Sequence, residues 1–241
     1  MREKFVVTEN VQKTFLAAEA LWESVLTGQG LGLLDGRTGL GKTWAVERYV
    51  VQNARAVYLR SHKKWSASWM MEDIALALNL ASLVTTKKNV RQVIDELKRR
   101  PRMLLIDEGD RVIRREDLLE TLRDLLDFSG APVILVSEGS GREAIYRKSE
   151  RTWRRLGEIV EFKPLTVADV QMMALELMEP PAEIPRALAV RIHEEAKTGQ
   201  FGEVIGNLKK VERLVKANPG TAVTEKVMEM ALKERKAAAG G

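Results

Sequence analysis

Eight consecutive residues constrain this chain more than any other stretch: Gly36, Arg37, Thr38, Gly39, Leu40, Gly41, Lys42 and Thr43. They fit G-x-x-x-x-G-K-[ST], a phosphate-binding loop whose meaning depends on lying between a strand and a helix. Leu31 to Asp35, just before it, is a short apolar run, and a helix is predicted from about Lys42 to Val51. The glycines let backbone N–H groups turn toward phosphate oxygens, and the helix adds the positive end of its dipole. Lys42 is spaced to reach the β- and γ-phosphates, and the Thr43 hydroxyl to hold Mg²⁺. The expected ligand is a nucleoside triphosphate, ATP, with Mg²⁺.

About 65 residues downstream, Met103 to Ile106 form an apolar strand that runs into Asp107 and Glu108. An acid at a strand end can fix Mg²⁺ through its water shell, and its neighbour can polarise an attacking water. A kinase has less need of that second acid. Ser137, followed by Glu138, closes another apolar strand and puts a polar side chain beside the expected γ-phosphate or water. Arg151, Arg154 and Arg155 precede a further strand. A cation there can stabilise transition-state charge on a neighbouring subunit's nucleotide, or be plain surface charge. Cysteine is absent, which excludes disulfides and thiolate metal sites, and His62 and His193 have no ligand-spaced partner. Trp65 and Trp69 read as core or interface side chains more readily than as platforms for bases.

Hydrophobic periodicity organises the rest. Val11, Phe15, Ala18, Trp22 and Val25 mark one face of an opening helix, with Thr8 or Asn10 placed to cap it. Strands are predicted at Ala56 to Leu59, Pro132 to Val136 and Ile159 to Phe162. Helices are predicted at Met70 to Leu80, from a cap at Asn89 to Arg100, and at Glu116 to Phe128. Strands alternating with helices argue for a parallel sheet covered on both faces. Beyond Pro164 only helical periodicity remains: Thr166 to Met178, Pro185 to Lys197, Glu203 to Ala217 and Thr224 to Lys236. The expected organisation is an α/β domain over 1–164, a helical lid over 165–236 and a disordered tail at 237–241.

The chain of 241 residues carries 39 basic and 34 acidic side chains, a net charge of +5. The excess is local: Val84 to Arg115 holds ten lysines or arginines against five acids, and Gly141 to Arg155 six against two. Such stretches suit a polyanion, although a solvated basic surface has the same composition. No apolar run approaches the roughly 18 residues needed to cross a bilayer, and the first ten residues lack a signal-peptide core. A cytoplasmic protein without membrane contact is expected.

Together the phosphate loop, the Asp-Glu pair, the polar strand-end residue, the later arginines and the helical lid resemble an AAA+ ATPase. Within that class the chain looks like the target-capture ATPases of DNA transposition, the Mu B, TnsC and IstB group, and most like the Mu B branch. The likeness lies in Asn10 to Gln12, in Gly30 to Gly36 and in Ala56 to Arg60 with its nearby tryptophans. It covers roughly residues 5 to 217. The resemblance implies an ATPase that oligomerises as a ring or helical filament on duplex DNA and delivers it to a transposase. It makes Lys42 and Thr43 the first nucleotide pair, Asp107 and Glu108 the second, Ser137 the first sensor and Arg155 the finger in trans, with Arg154 the fallback. Lys209 takes the second-sensor place, where many relatives carry arginine, so the bidentate fork is lost. Mu B has a DNA-binding helical domain ahead of its ATPase core, and about ten residues precede the first helix here. DNA contact is then expected from the ATPase body, at Arg60, His62, Lys63 and Lys64, with Lys87 and Lys88 next.

Three other readings share the motifs. A helicase loader or related DNA-remodelling ATPase would have the same fold. A P-loop kinase would phosphorylate a small molecule, against which the Asp-Glu pair and the helical lid argue. A signalling switch would use nucleotide only to control docking, and its turnover would not respond to DNA.

Overall fold

The computed structural model describes residues 6–81, 85–179 and 183–217. The chain opens with α1 (Glu9–Ser24) and a short 3₁₀ turn (Val25–Thr27), then β1 (Leu31–Asp35) and α2 (Lys42–Gln52). β2 (Ala56–Arg60), α3 (Ala67–Ala77), α4 (Thr86–Arg99) and β3 (Met103–Asp107) follow. Next come α5 (Asp110–Ile113), α6 (Glu116–Ser129), β4 (Val133–Val136), α7 (Gly141–Lys148), α8 (Glu150–Trp153) and β5 (Leu156–Glu161). The described residues end with α9 (Val167–Leu177), α10 (Arg186–Glu195) and α11 (Phe201–Ala217).

The five strands form one sheet in the order β2-β3-β4-β1-β5, and every pairing is parallel. A parallel neighbour has to be reached by a crossover, so helices end up over the faces and the middle strands are buried on both sides. All residues of β1, β3 and β4 are accordingly buried. Their apolar runs are the core: Leu33, Leu104, Ile106, Val133 and Leu135 pack with Ile74, Leu97, Leu119 and Leu122 from the helices. Burying each such side chain contributes roughly 1.5–3 kcal/mol before chain entropy is subtracted. Because the strands are parallel, their carboxyl ends share one edge, and Asp35, Arg60, Asp107 and Ser137 gather there.

The helix starts follow capping chemistry. Ser66 caps α3 by accepting from the Trp69 N–H, and Thr85 caps α4 by accepting from Lys88. Asn89 is therefore not the cap. It lies inside α4, 3% exposed, where its side-chain oxygen accepts from Gln92. Helices α5, α7 and α8 have no counterpart in the periodic reading, because segments of four to eight residues are too short to show a period. β5 begins at Leu156 rather than Ile159. It is an edge strand with little burial before Val160, so no apolar run marks its start.

Contacts divide the described residues into two compact units, one within 10–38 and 42–162, the other within 163–217 with 6–9 and 39–41. In the second unit Thr166 and Asp169 form a reciprocal capping box at the start of α9. His193 bonds through Nε2 to the Leu165 carbonyl at 2.8 Å, a structural role. Glu212 of α11, 5% exposed, accepts from the Glu179 N–H. The helix expected at Thr224 to Lys236 and the tail at 237–241 lie outside the described residues. Among the described residues no helix is long and apolar enough to cross a membrane.

Candidate functional site

The phosphate loop sits between β1 and α2, and its backbone does what the glycines permit. Gly39 and Gly41 have φ of 86° and 90°, the left-handed region in which a side chain is strained. Leu40 is buried and anchors the loop, while Arg37, Thr38 and Thr43 are exposed. Lys42 is the first residue of α2, 7% exposed, and its ammonium donates to the Gly36 carbonyl and, at 2.9 Å, to that of Arg37. Burial pulls the Lys42 pKa below the usual lysine value, while the charges of Glu138, Asp35, Asp110 and Asp107 pull it up. A desolvated ammonium at a helix N-terminus fits a polyphosphate.

The second half of the site comes from β3. Asp107, 5% exposed, accepts from the Thr43 hydroxyl at 2.8 Å and from the Tyr58 hydroxyl at 3.0 Å, both on Oδ2. Its Oδ1 accepts from the Glu108 N–H at 2.8 Å. Burial, then Asp107, raises the Tyr58 pKa, so the phenol stays a donor. Thr43 and Asp107 thus bring together a hydroxyl and a carboxylate, hard oxygen donors that suit Mg²⁺. Among the described residues no cluster of three histidine, aspartate or glutamate side chains could hold a metal. Glu108 has φ of 56°, an uncommon left-handed value for a residue with a side chain. Arg60 reaches its Oε1 at 3.2 Å and Arg111 its Oε2 at 3.3 Å. The Ser61 hydroxyl donates to the Glu108 carbonyl at 2.7 Å.

The end of β4 closes on the phosphate loop. Ser137 is 0% exposed, and its hydroxyl donates to Oδ1 of Asp35, the last residue of β1. The same oxygen accepts from the Gly36 N–H at 3.1 Å and the Gly139 N–H at 2.7 Å. Glu138, exposed, accepts from the Thr38 hydroxyl at 2.7 Å, and its N–H donates to Asp110 at 2.9 Å. Burial pushes the Asp110 carboxyl above the usual aspartate range. Asp35, Tyr58, Asp110 and Arg111 escaped the sequence reading. Only Asp35 left a trace there, as the one charged residue of an otherwise apolar strand.

The remaining candidates are dispersed. Arg155 holds Asp127 with two parallel bonds, 2.6 and 3.0 Å, and its side chain is 33% exposed. Arg154 pairs with Glu150 one turn back and is 69% exposed. Lys209 is exposed on α11. Arg60, His62, Lys63 and Lys64 are exposed on the segment that leaves β2, and Lys87 and Lys88 on the first turn of α4. His62 stacks on Trp69 at 5.4 Å between ring centroids, whereas Trp65 is buried with its N–H on Asp73.

Residues 25–144 match the model of the AAA domain family. Over that span, just under half of its length, the chain is similar to an AAA domain. Solved structures extend the likeness over nearly all of it. The Aeropyrum pernix ORC2 protein in its ADPNP-ADP complexes is 15% identical, with a TM-score of 0.71 over 97% of this chain and 70% of that one. The Aeropyrum pernix ORC1 protein in complex with DNA is 18% identical, with a TM-score of 0.60 over 95% of this chain and 66% of that one. Domain III of the Thermotoga maritima replication initiation protein DnaA is 20% identical, with a TM-score of 0.59 over 95% and 94%. No curated protein matches in sequence. At these identities the structural likeness establishes the fold alone, a central parallel sheet flanked by helices of the AAA+ P-loop type. With the family match and the site just described, the AAA domain is an ATPase.

Proposed function

We propose that this chain is an ATP-driven, largely sequence-nonspecific DNA-binding protein that assembles head to tail on duplex DNA. The observation that carries the reading is the link from nucleotide site to basic surface. Glu108 sits beside the Asp107 and Thr43 pair, and its carboxylate is held by Arg60, which heads the exposed Arg60, His62, Lys63 and Lys64 segment. Lys42 and the loop N–H groups bind the β- and γ-phosphates. Thr43 and Asp107 hold Mg²⁺, which when bound neutralises charge on the transferring phosphoryl group. Glu108 accepts a proton from water as the water oxygen bonds to the γ-phosphorus and the bond to the β–γ bridging oxygen breaks. ADP and phosphate leave. Arg155, or Arg154 beside it, supplies the cation from a neighbouring subunit.

Delivery of the bound DNA to a transposase of the same element is the finer part of this proposal, and its support is the sequence resemblance to the Mu B, TnsC and IstB group. A second reading, a replication or DNA-remodelling ATPase, is favoured by the solved neighbours, which include a replication initiation protein and a Holliday junction branch migration motor. Electron microscopy on linear duplex DNA, with and without a slowly hydrolysed ATP analogue, tests the shared core. Polymers that need both DNA and the analogue are expected, and their absence would sink it. Stimulation of ATP turnover by a cognate transposase, but not by a replicative helicase, separates the two readings.

A further inference from the structure

The Asp35 carboxylate lies immediately before the phosphate loop. It is 9% exposed at the end of β1, and three donors converge on its Oδ1: the Gly36 N–H, the Ser137 hydroxyl and the Gly139 N–H. Gly36 begins the phosphate loop, and Ser137 and Gly139 belong to the turn that leaves β4. A carboxylate only accepts, so the Ser137 hydroxyl spends its single proton on Asp35. The hydroxyl is also walled in: a side chain at Gly141, the first residue of α7, would put a Cβ 2.2 Å from Ser137 Oγ. Ser137 therefore faces Asp35 and the start of α7, with no exposed surface of its own. The exposed member of the turn is Glu138, which accepts from Thr38 of the loop.

We infer that Asp35 is a positioning residue for ATP hydrolysis: it fastens the phosphate loop to the 137–139 turn, and Ser137 acts through it rather than on the nucleotide. The inference rests on the ATPase reading of the loop. Its physical content is that loop and turn shift together. A triphosphate that reorders Gly36 to Thr38 moves the turn, and with it α7 and the arginine segment that follows. Releasing the tie leaves two N–H donors without their acceptor and lets the turn drift, while Lys42 and the other loop N–H groups still bind phosphate. Loss should thus fall on kcat more than on KM.

The test compares Asp35→Ala, Asp35→Asn, Ser137→Ala and the Asp35→Ala/Ser137→Ala double variant. Asp35→Ala and Ser137→Ala should each lower kcat about tenfold, and the double variant should be no worse than Asp35→Ala alone, as for two residues acting as one unit. KM for ATP should move much less than kcat. Asp35→Asn should keep most of the activity, because its Oδ1 accepts from the same three donors. Multiplying losses in the double variant would mean that Ser137 acts independently, and an Asn variant as impaired as the Ala variant would mean that charge matters rather than the tie. Either overturns the inference. Amide exchange of the nucleotide-free protein decides it without ATP: Asp35→Ala should speed exchange at Gly36 and Gly139, and unchanged exchange would overturn it. A wild type that fails to turn over ATP would instead remove the ATPase reading.

Discussion

Arg60 and Glu108 meet across the ends of β2 and β3, Nη2 to Oε1 at 3.2 Å, with the arginine side chain 65% exposed. The pair joins a surface cation to the carboxylate proposed to activate water. While the guanidinium occupies Oε1, and Arg111 occupies Oε2 at 3.3 Å, both carboxylate oxygens of Glu108 are engaged rather than free to meet a water. A DNA phosphate that attracts Arg60 competes for the same guanidinium and releases the carboxylate. Arg60→Ala should therefore raise ATP turnover without DNA and blunt its stimulation by DNA. Unchanged basal turnover, with stimulation intact, would remove Arg60 from the coupling.

Glu108→Gln separates binding from chemistry. Asp107 and Thr43 remain, so ATP and Mg²⁺ should bind as before, while turnover falls by about a hundredfold or more with the loss of the base. The DNA complex should live longer. Wild-type turnover in this variant would assign the water to another residue.

The phosphate loop, the Asp107 and Glu108 pair and the buried strands were legible because each is local: a motif of fixed spacing or an apolar run of fixed period. What escaped was the chemistry made by strand order. Asp35 and Ser137 are 102 residues apart and meet only because β1 and β4 are neighbours. Tyr58 reaches Asp107 because β2 pairs with β3 in register, and Arg111 reaches Glu108 from α5, a helix of four residues too short to leave a period. Asn89 misled for a different reason. It is a good cap residue, but Thr85 lies four residues earlier and takes the role.

Asp110 supplies a pH test. Burial raises its pKa in the folded chain above the unfolded value, so its contribution to stability is fully present below the unfolded pKa and lost as pH rises through the folded one. At pH 7 the ionised side chain is then a cost. Asp110→Asn keeps an oxygen for the Glu138 N–H and removes the half-buried charge. It should raise Tm at pH 7, with the gain narrowing toward the aspartate range near ~4. A variant less stable than wild type at pH 7 would contradict that account.

DNA affinity should fall steeply with added salt and depend little on sequence, because the proposed backbone contacts by Arg60, Lys63 and Lys64 would release counterions. Lys63→Ala/Lys64→Ala should lower the slope of log K against log salt by about one to two units and weaken all sequences alike. Affinity that holds at high salt, or a slope the double variant leaves unchanged, would place the contact elsewhere.

Assembly is tested by mixing variants. Lys42→Ala loses the ammonium proposed to meet the phosphates and should weaken ATP binding by at least about 1.5–3 kcal/mol. Arg155→Ala keeps its own phosphate loop but withholds the proposed finger from its neighbour. In the structure Arg155 is clasped by Asp127, so it has to leave that partner before it can serve another subunit. Asp127→Asn loosens the clasp and should raise turnover in the assembled state. A head-to-tail interface takes its loop from one subunit and its finger from the next. In a random equal mixture of Lys42→Ala and Arg155→Ala chains, about one quarter of the interfaces therefore contain both intact halves. Turnover should recover toward that fraction, while either variant alone stays silent. No recovery at any ratio, with both variants folded and co-assembling, would remove Arg155. The same mixture made with Arg154→Ala, whose parent arginine is 69% exposed and pairs only one turn back with Glu150, would then be expected to recover.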